Sequence, residues 1–268
     1  MNAESQCKQA IGTMTDKTTR YECVADAFHC DFQHQLCLGH LGNSLLNASD
    51  MHSTQRNFGM TYLNTINKTW VLSRLAIELE DIPKEHDSFT IETWVENAMK
   101  YFTKRNWAIY SPDGQKIYGY AKSIWAMIDT VTREPQDILA VNNGRIKEYL
   151  CSEKTCAIED VSRVTTPKMT EYTEFRVSYS DIDVNGHCNS MKYIDHVMDT
   201  FSKEHFENYH LKRLEIAYVA EGHWGETIRI YHISPDDTQH FFRLTRQKEE
   251  GGEQEVCRLK VFFKSKAV

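Results

Sequence analysis

The sequence predicts an α+β fold made of two copies of one supersecondary unit, and the order of its periodic segments carries this prediction. A helix predicted over 37–53 is followed by four strand-like segments. A second helix, predicted to start after Asn189, is again followed by four strand-like segments. Strand, helix and several antiparallel strands therefore occur twice in the same order, which indicates a tandem duplication.

The first unit is predicted from one helical face and a run of alternating segments. Its strands are expected at 69–80, 88–96, 101–110 and 116–129, and the last two flank a Ser-Pro-Asp-Gly turn at 111–114. Upstream, residues 1–20 are expected to be an unpatterned lead-in and 21–29 to hold a first strand. The apolar residues of the helix lie on one face: Leu38, Leu41, Leu45 and Ala48.

The second unit repeats this order with a shorter helix. Strands are predicted at 173–179, 211–220, 226–233, 239–246 and 255–264, with a hairpin at Glu249-Glu-Gly-Gly. Residues 130–168 lack a clear period, and 143–150 have some helical character. The helix is predicted from its apolar stripe: Met191, Ile194, Val197, Met198 and Phe201.

A long helix wrapped by a curved antiparallel sheet is the hot-dog architecture, so the sequence predicts a tandem (double) hot-dog. We expect an N-terminal hot-dog at 1–135, a connector at 136–168 and a C-terminal hot-dog at 169–268. Hot-dog enzymes usually work as pairs, and two units in one chain would fuse that pair. The protein is therefore expected to be a monomer or a homodimer.

Composition narrows the class of protein. Hydrophobic residues at 41% and charged residues at 26% are typical of a globular protein. The net charge of −7 argues against non-specific nucleic-acid binding. No apolar run reaches membrane-spanning length, and the N-terminus lacks the apolar core of a secretion signal, so we predict a cytoplasmic protein without membrane contact.

Metal and cofactor sites are not predicted. The eight cysteines lack the paired C-x-x-C spacing of structural zinc and are expected to be reduced thiols. His196, His205 and His210 also lack the helical i, i+4 spacing with an acid between them that a metalloprotease uses. No cofactor is therefore expected.

The turn before the second helix is the candidate site. Asp183, Asn185 and His187 recur at every second position and share one extended face. The N–H groups of a helix start are unpaired and carry partial positive charge, which suits an oxygen that becomes negative during a reaction. Taken alone, Asp183 is more often a helix cap and a lone histidine more often a surface residue. The three together favour an active site.

The first unit departs from this pattern. It has Asp31-Phe-Gln33-His34-Gln35 ahead of its helix, so the imidazole is missing from the place equivalent to His187. We therefore expect the chemistry in the second unit and mainly a binding wall in the first. In a sequence comparison of the two units, the six residues from His86 (HDSFTI) align with the six residues from His223 (HWGETI).

From about Ala25 onward the chain resembles an acyl-ACP thioesterase of the plant FatA/FatB type, in its shorter bacterial form. The resemblance lies in TWVLSRLAIEL (69–79), SIWAMIDTVTREP (123–135), SDIDVNGHCNSMKYI (180–194), and the segments 87–107 and 214–228. The family's Asp-x-Asn-x-His motif falls on Asp183, Asn185 and His187. Its acidic residue followed by cysteine falls on Glu221-Gly222, where the carboxylate is kept and the thiol is absent.

The resemblance implies hydrolysis of fatty acyl-ACP, which releases free fatty acid and holo-ACP. Glu221 is expected to act as general base for water, or alternatively to attack directly through an anhydride. Asn185 would hold the water or the oxyanion, and His187 would donate to the thioester oxygen or the leaving sulfur. Asp183 would orient His187 or the turn. Helix-start N–H groups from Gly186 to Asn189 would share the developing charge.

The expected partner is acyl carrier protein. Because this carrier is acidic, a basic rim is expected at the site entrance, although scattered lysines are more often solvated surface. An apolar slot for the acyl chain is expected near Leu41 and Leu45, for which ordinary core packing is the more usual role. The candidates for the rim are Lys192, Lys203, Lys212 and Arg213.

Three alternative functions remain open. An acyl-CoA thioesterase would use the same chemistry on another carrier. A non-catalytic acyl-binding or regulatory hot-dog protein would bind acyl groups without releasing a thiol, and the set Asn185, His187 and Glu221 counts against it. A dehydratase is discouraged by the asparagine between the acid and the histidine.

Overall fold

The chain forms two compact units, seen in a computed structural model that describes residues 7–11, 17–248 and 251–266. The first unit contains Met1–Ser73 and Leu79–Asp160, and the second contains Arg74–Glu78 and Val161–Val268. Each unit contains helices and antiparallel strands, as the α+β prediction requires.

The first unit packs helices α1 and α2 with a sheet in the order β1-β2-β4-β5-β6-β3. The four strands predicted after the helix form within a few residues of their predicted bounds, whereas the strand predicted at 21–29 forms at 18–24 and is followed by a 3₁₀ turn at 27–29. The elements are β1 (Cys7–Ile11), β2 (Thr18–Val24), α1 (Leu38–Thr54), α2 (Met60–Asn64), β3 (Lys68–Leu79), β4 (Ser88–Ala98), β5 (Phe102–Tyr110) and β6 (Ile117–Asp129).

Helix α1 forms because one face of it is buried in the core of the unit. Leu41, Leu45 and Ala48 are fully buried, and each buried leucine contributes about 1.5–3 kcal/mol. The indole N–H of Trp107 in β5 donates to the Leu45 carbonyl and the Ser49 hydroxyl, both at 3.0 Å. These contacts fix the helix on the sheet of its own unit.

The prediction of an unpatterned lead-in over 1–20 is wrong at 7–11 and 18–20, which form strands, and residues 1–6 and 12–16 lie outside the described chain. Strand β1 pairs antiparallel with β2, with Ala10 opposite Tyr21.

The segment Ile138–Tyr149 forms 3₁₀ turns that are interrupted where Asn142, Asn143 and Gly144 adopt positive φ. Its apolar side chains pack with Phe58 and Leu63 in the core of the first unit.

The second unit has the sheet order β3-β8-β11-β10-β9-β7, where residues 74–78 of β3 pair antiparallel with β8. The strands flanking the predicted 249–252 hairpin pair antiparallel, although residues 249–250 lie outside the described chain. The elements are β7 (Tyr172–Arg176), α3 (Ser190–Met198), α4 (Lys203–Asn208), β8 (Tyr209–Tyr218), β9 (Thr227–Asp236), β10 (Gln239–Gln247) and β11 (Glu253–Ser265).

Helix α3 starts at a side-chain cap and buries three of the five predicted stripe residues, since Met198 is half-buried and Phe201 lies beyond the end of the helix. Asn189 is its N-cap, and its side-chain oxygen accepts the Met191 N–H at 2.8 Å. Met191, Ile194 and Val197 are fully buried in the second unit. Of the helices in the described residues, none has the length and apolar character needed to cross a bilayer.

Candidate active site

A tight turn positions the predicted residues of the second unit. One carboxylate oxygen of Asp183 accepts the N–H groups of Asn185 (2.8 Å) and His187 (3.2 Å). The Asp183 N–H donates to the His187 carbonyl at 2.8 Å. Gly186 adopts φ +80°, in the left-handed region that glycine reaches without strain. Asp183 was predicted to orient either His187 or the turn, and these hydrogen bonds are those of a residue that holds the turn.

The same turn occurs in the first unit with different side chains. Asp31 accepts the N–H groups of Gln33 (2.8 Å) and Gln35 (3.1 Å), and its own N–H donates to the Gln35 carbonyl at 2.8 Å. His34, with φ +60°, stands where the second unit has glycine. Gln35 is therefore the structural counterpart of His187, as the sequence comparison expected.

The alignment of His86 with His223 is wrong by two residues. Val177 exchanges backbone hydrogen bonds with the segment Gly225–Glu226, as Ala25 does with His86–Asp87. His86 therefore corresponds to Gly225. The bridge between Gln35 and Lys84 matches the bridge between His187 and His223, so Lys84 is the counterpart of His223.

Glu221 and His187 lie together in the second unit. The His187 Nε2 is 3.4 Å from a Glu221 carboxylate oxygen, and the two side chains are 27% and 33% exposed. Both groups are thus partly shielded yet reachable by a substrate. The structure brings together the imidazole of the motif and a carboxylate 34 residues further along the chain.

The segment that carries Glu221 is held by helix α3. The Gly222 N–H donates to the Tyr193 hydroxyl (2.9 Å), and the Cys188 N–H donates to the Gly222 carbonyl (2.8 Å). A Cβ at position 222 would lie 2.6 Å from the Tyr193 hydroxyl oxygen, closer than van der Waals contact allows. In this chain, glycine at position 222 therefore leaves room for the Tyr193 hydroxyl to accept the backbone N–H.

Tyr193 is a positioning residue that the sequence did not assign. It follows the motif on α3, between the buried stripe positions Met191 and Ile194, and is itself only 2% exposed. A buried aromatic residue beside an apolar stripe is indistinguishable in sequence from ordinary core. The signal that could have found it is its place in the segment SDIDVNGHCNSMKYI (180–194), through which the chain resembles the family.

The backbone N–H groups expected to stabilise an oxyanion are already occupied. Gly186 and His187 donate to Asp183, Cys188 donates to Gly222, and Asn189 donates to the Asp181 carbonyl at 2.7 Å. The predicted role of these groups is therefore wrong in the described structure. Asn185 itself is an exposed residue of this turn.

Cys188 does not have the environment of a nucleophile. Its side chain is 6% exposed, and burial raises the pKa of its thiol to about 12. The thiolate is the reactive form of cysteine, and a raised pKa removes it at neutral pH. The thiol next to His187 in sequence therefore belongs to the core.

Cys188→Ser is expected to leave kcat within about threefold of the wild type, because a protonated, buried thiol contributes no nucleophile. Steady-state hydrolysis measured with a thermal unfolding curve checks this, since a buried hydroxyl can lower stability by about 1–3 kcal/mol. Loss of activity in a folded variant would show that the nucleophile is misassigned.

The histidines considered for a metal have other contacts. His196 Nε2 lies 3.0 Å from Asp181 Oδ1, and its ring stacks on Phe175 at 3.7 Å. His205 stacks on Tyr209 at 4.8 Å. Across the described residues, no group of three or more His, Cys, Asp or Glu side chains has an arrangement that could hold a metal ion.

The four cations of the expected basic rim are all ion-paired. Lys192 pairs with Asp195 (3.1 Å), and Lys203 pairs with Glu207. Lys212 and Arg213 both approach Glu78, at 3.9 and 2.8 Å. Partial neutralisation weakens their case as docking residues for an acidic partner.

Models of one protein family match most of the chain. The acyl-ACP thioesterase N-terminal domain matches residues 17–141, and the C-terminal domain matches residues 164–265. An acyl-ACP thioesterase of known crystal structure from Bacteroides thetaiotaomicron is 40% identical, covers 94% of this chain and 100% of its own, and has a TM-score of 0.86. The chain belongs to the acyl-ACP thioesterase family. The predicted family is confirmed.

More distant family members confirm the predicted double hot-dog fold and include longer proteins. The 12:0-ACP thioesterase of Umbellularia californica superposes with a TM-score of 0.83 at 18% identity, over 96% of this chain and 100% of its own. A chloroplastic palmitoyl-ACP thioesterase of Arabidopsis thaliana is 26% identical over 58% of this chain and 39% of its own length. The match thus spans well under half of that plant relative.

Proposed function

We propose that this member of the acyl-ACP thioesterase family hydrolyses fatty acyl-ACP, releases free fatty acid and holo-ACP, and so terminates fatty acid biosynthesis. The observation that carries the proposal is the His187–Glu221 pair, with 3.4 Å between Nε2 and the carboxylate. A carboxylate beside an imidazole on a partly shielded surface is the arrangement that general acid–base hydrolysis needs.

The reaction proceeds by attack of water on the thioester carbonyl. Glu221 takes a proton from the water as its oxygen bonds to the carbonyl carbon, and the carbonyl electron pair moves to oxygen. The Asn185 amide steadies the water or the oxyanion. Collapse of the intermediate breaks the C–S bond, and the sulfur leaves as a thiol after taking a proton from the site. His187 donates either to the oxyanion or to the sulfur.

Direct attack by Glu221 is the open variant of this scheme. The carboxylate would form a mixed anhydride and water would then cleave it. A single turnover in ¹⁸O-labelled water detects the covalent route when water cleaves the anhydride at the Glu221 carbonyl, because the label then enters Glu221, whereas the general-base route places it only in the fatty acid.

We assign the chemistry to the second unit and acyl-chain binding to the first. In the first unit the Leu36 N–H donates to the Pro83 carbonyl (2.9 Å), the counterpart of the bond between Cys188 and Gly222. Ile82 therefore stands where the second unit has Glu221, and Gln35 where it has His187. This pair offers neither a general base nor an imidazole.

We also propose a cytoplasmic location, a role for acyl carrier protein as the partner, and a monomer or homodimer. The cysteines with described side chains are free thiols, which suits a reducing compartment. The family and its two-domain match support the carrier protein as substrate.

Kinetics on two carriers test the proposed function. The same acyl group is presented on ACP and on CoA, and kcat/KM is measured by thiol release for a panel of chain lengths. We expect efficient turnover with preference for ACP. A strong preference for CoA would favour an acyl-CoA thioesterase, and tight acyl binding without thiol release would favour a non-catalytic binding protein.

A further inference from the structure

The site has too few assigned donors for an oxyanion. The backbone N–H groups of residues 186–189 are taken by acceptors of the same unit. A neutral imidazole has one N–H, and the His187 Nε2 faces the Glu221 carboxylate at 3.4 Å. When that N–H points at Glu221, the other ring nitrogen of His187 is an acceptor. The Asn185 amide is then the one side-chain donor assigned to the oxyanion, and a second donor near the thioester oxygen would share the charge with it.

His223 lies beside His187 and faces the same way. The two residues are partners in an antiparallel β-bridge, and directly opposed residues of such a pair place their side chains on one face. The two imidazole rings meet edge to face with 5.3 Å between centroids. The His223 side chain is 47% exposed, so a substrate can reach it.

Arg246 fixes which nitrogen of His223 carries the proton. Arg246 Nη1 lies 2.9 Å from His223 Nδ1, and a guanidinium can only donate. Nδ1 is therefore the acceptor, and Nε2 holds the hydrogen. The competing contact, from His223 Nδ1 to Glu226 Oε1, is longer at 3.6 Å. Glu226 instead accepts from Arg246 Nη1 at 2.6 Å, and Gln254 accepts from Arg246 Nη2 at 2.9 Å.

We propose that His223 is an additional catalytic residue, whose Nε2–H donates to the carbonyl oxygen of the thioester as that oxygen becomes negative. This inference rests on the proposed function. It assigns the oxyanion to His223 and Asn185 and leaves His187 as the donor to the leaving sulfur. Water bonds to the carbonyl carbon and passes its proton to Glu221, and the oxyanion accepts from His223 and Asn185. When the C–S bond breaks, the proton on His187 Nε2 passes to the sulfur as the carboxylic acid of Glu221 returns its proton to the same nitrogen, so both groups end the cycle as they began it.

The first unit supports this assignment and supplies a matched control. Lys84 is the counterpart of His223, beside Gln35, the counterpart of His187. Among these equivalent positions, a pair of histidines therefore occurs only in the second unit, where Glu221 also lies. Lys84 is exposed and lies in the unit to which no chemistry is assigned.

Kinetics of His223→Ala, His223→Gln and Lys84→Ala test the proposal. Each is assayed on acyl-ACP and on the N-acetylcysteamine thioester of the same acyl group. Loss of an oxyanion donor costs about 10²–10³ in kcat, so we expect His223→Ala to lose about 100-fold on both substrates with little change in KM. His223→Gln keeps an N–H donor at the position of Nε2 and is expected to recover to within about tenfold of the wild type. Lys84→Ala should match the wild type.

The tautomer gives a readout that does not depend on activity. A long-range ¹H–¹⁵N spectrum of the histidine rings is expected to show His223 protonated at Nε2 and not at Nδ1. The opposite tautomer would overturn the proposal, as would near-normal kcat in folded His223→Ala or an effect confined to KM for acyl-ACP. Absence of thioester hydrolysis by the wild-type chain would overturn the proposed function as well, so the two failures are distinguishable.

Discussion

Glu221→Gln is expected to lower kcat for acyl-ACP hydrolysis by about 10³-fold, because a general base contributes a factor of about 10²–10⁴ and an amide cannot accept the proton of water. Glutamine has nearly the shape of glutamate, and the backbone that holds position 222 in place is unaffected. The thermal unfolding midpoint is therefore expected to stay close to that of the wild type. Thiol release under saturating acyl-ACP measures the change.

Glu85→Gln is the matched control for this substitution. Glu85 lies 2.6 Å from His34 in the first unit, so the change removes another carboxylate from an imidazole. His34 is largely exposed, and no chemistry is assigned to this pair. Activity near that of the wild type is expected. If Glu221→Gln were as active as Glu85→Gln, Glu221 would not be the base or the nucleophile.

His187→Gln is expected to lower kcat by about 10²–10⁴-fold, the range for loss of an acid–base group. The fold tolerates this side chain because Gln35 occupies the equivalent turn, with its N–H bonded to Asp31 at 3.1 Å. The variant thus makes the second turn resemble the first. Steady-state kcat, together with the far-ultraviolet circular dichroism spectrum, separates lost chemistry from lost folding.

The converse variant controls for His187→Gln. Gln35→His places an imidazole in the first turn, where Ile82 stands in place of Glu221. Without a carboxylate at the position equivalent to Glu221, the new histidine is expected to add no turnover. A folded His187→Gln protein with nearly normal kcat would remove His187 from the scheme, and a gain of activity in Gln35→His would show that the first unit also carries chemistry.

The sequence was sufficient for the elements with a strong period. The apolar face of α1 and the alternation of β3 to β6 locate these elements to within a few residues, because their burial follows the period of the backbone. Shorter elements carry too few residues for a period. Strand β1 and helices α2 and α4, of five, five and six residues, were not predicted for this reason.

The candidate site was predictable where its contacts are local. The Asp183 turn is closed by residues within four positions, and its counterpart at Asp31 follows the same local pattern. The tertiary contacts of the site could not be predicted from the sequence. The acceptor for the Cys188 N–H is the carbonyl of Gly222, which is why free helix-start donors were wrongly expected. The contact between Arg246 and His223 spans 23 residues and leaves no pattern in the sequence.

The most direct test of the central claim is a double-mutant cycle of Glu221→Gln and His187→Gln, with kcat on acyl-ACP measured for all four proteins. Groups that act as one unit show strongly non-additive losses. If Glu221 and His187 serve one thioester carbonyl, kcat of the double variant should be no more than about tenfold below kcat of the less active single variant. Losses that simply multiply would show two independent contributions and contradict a single site built from this pair.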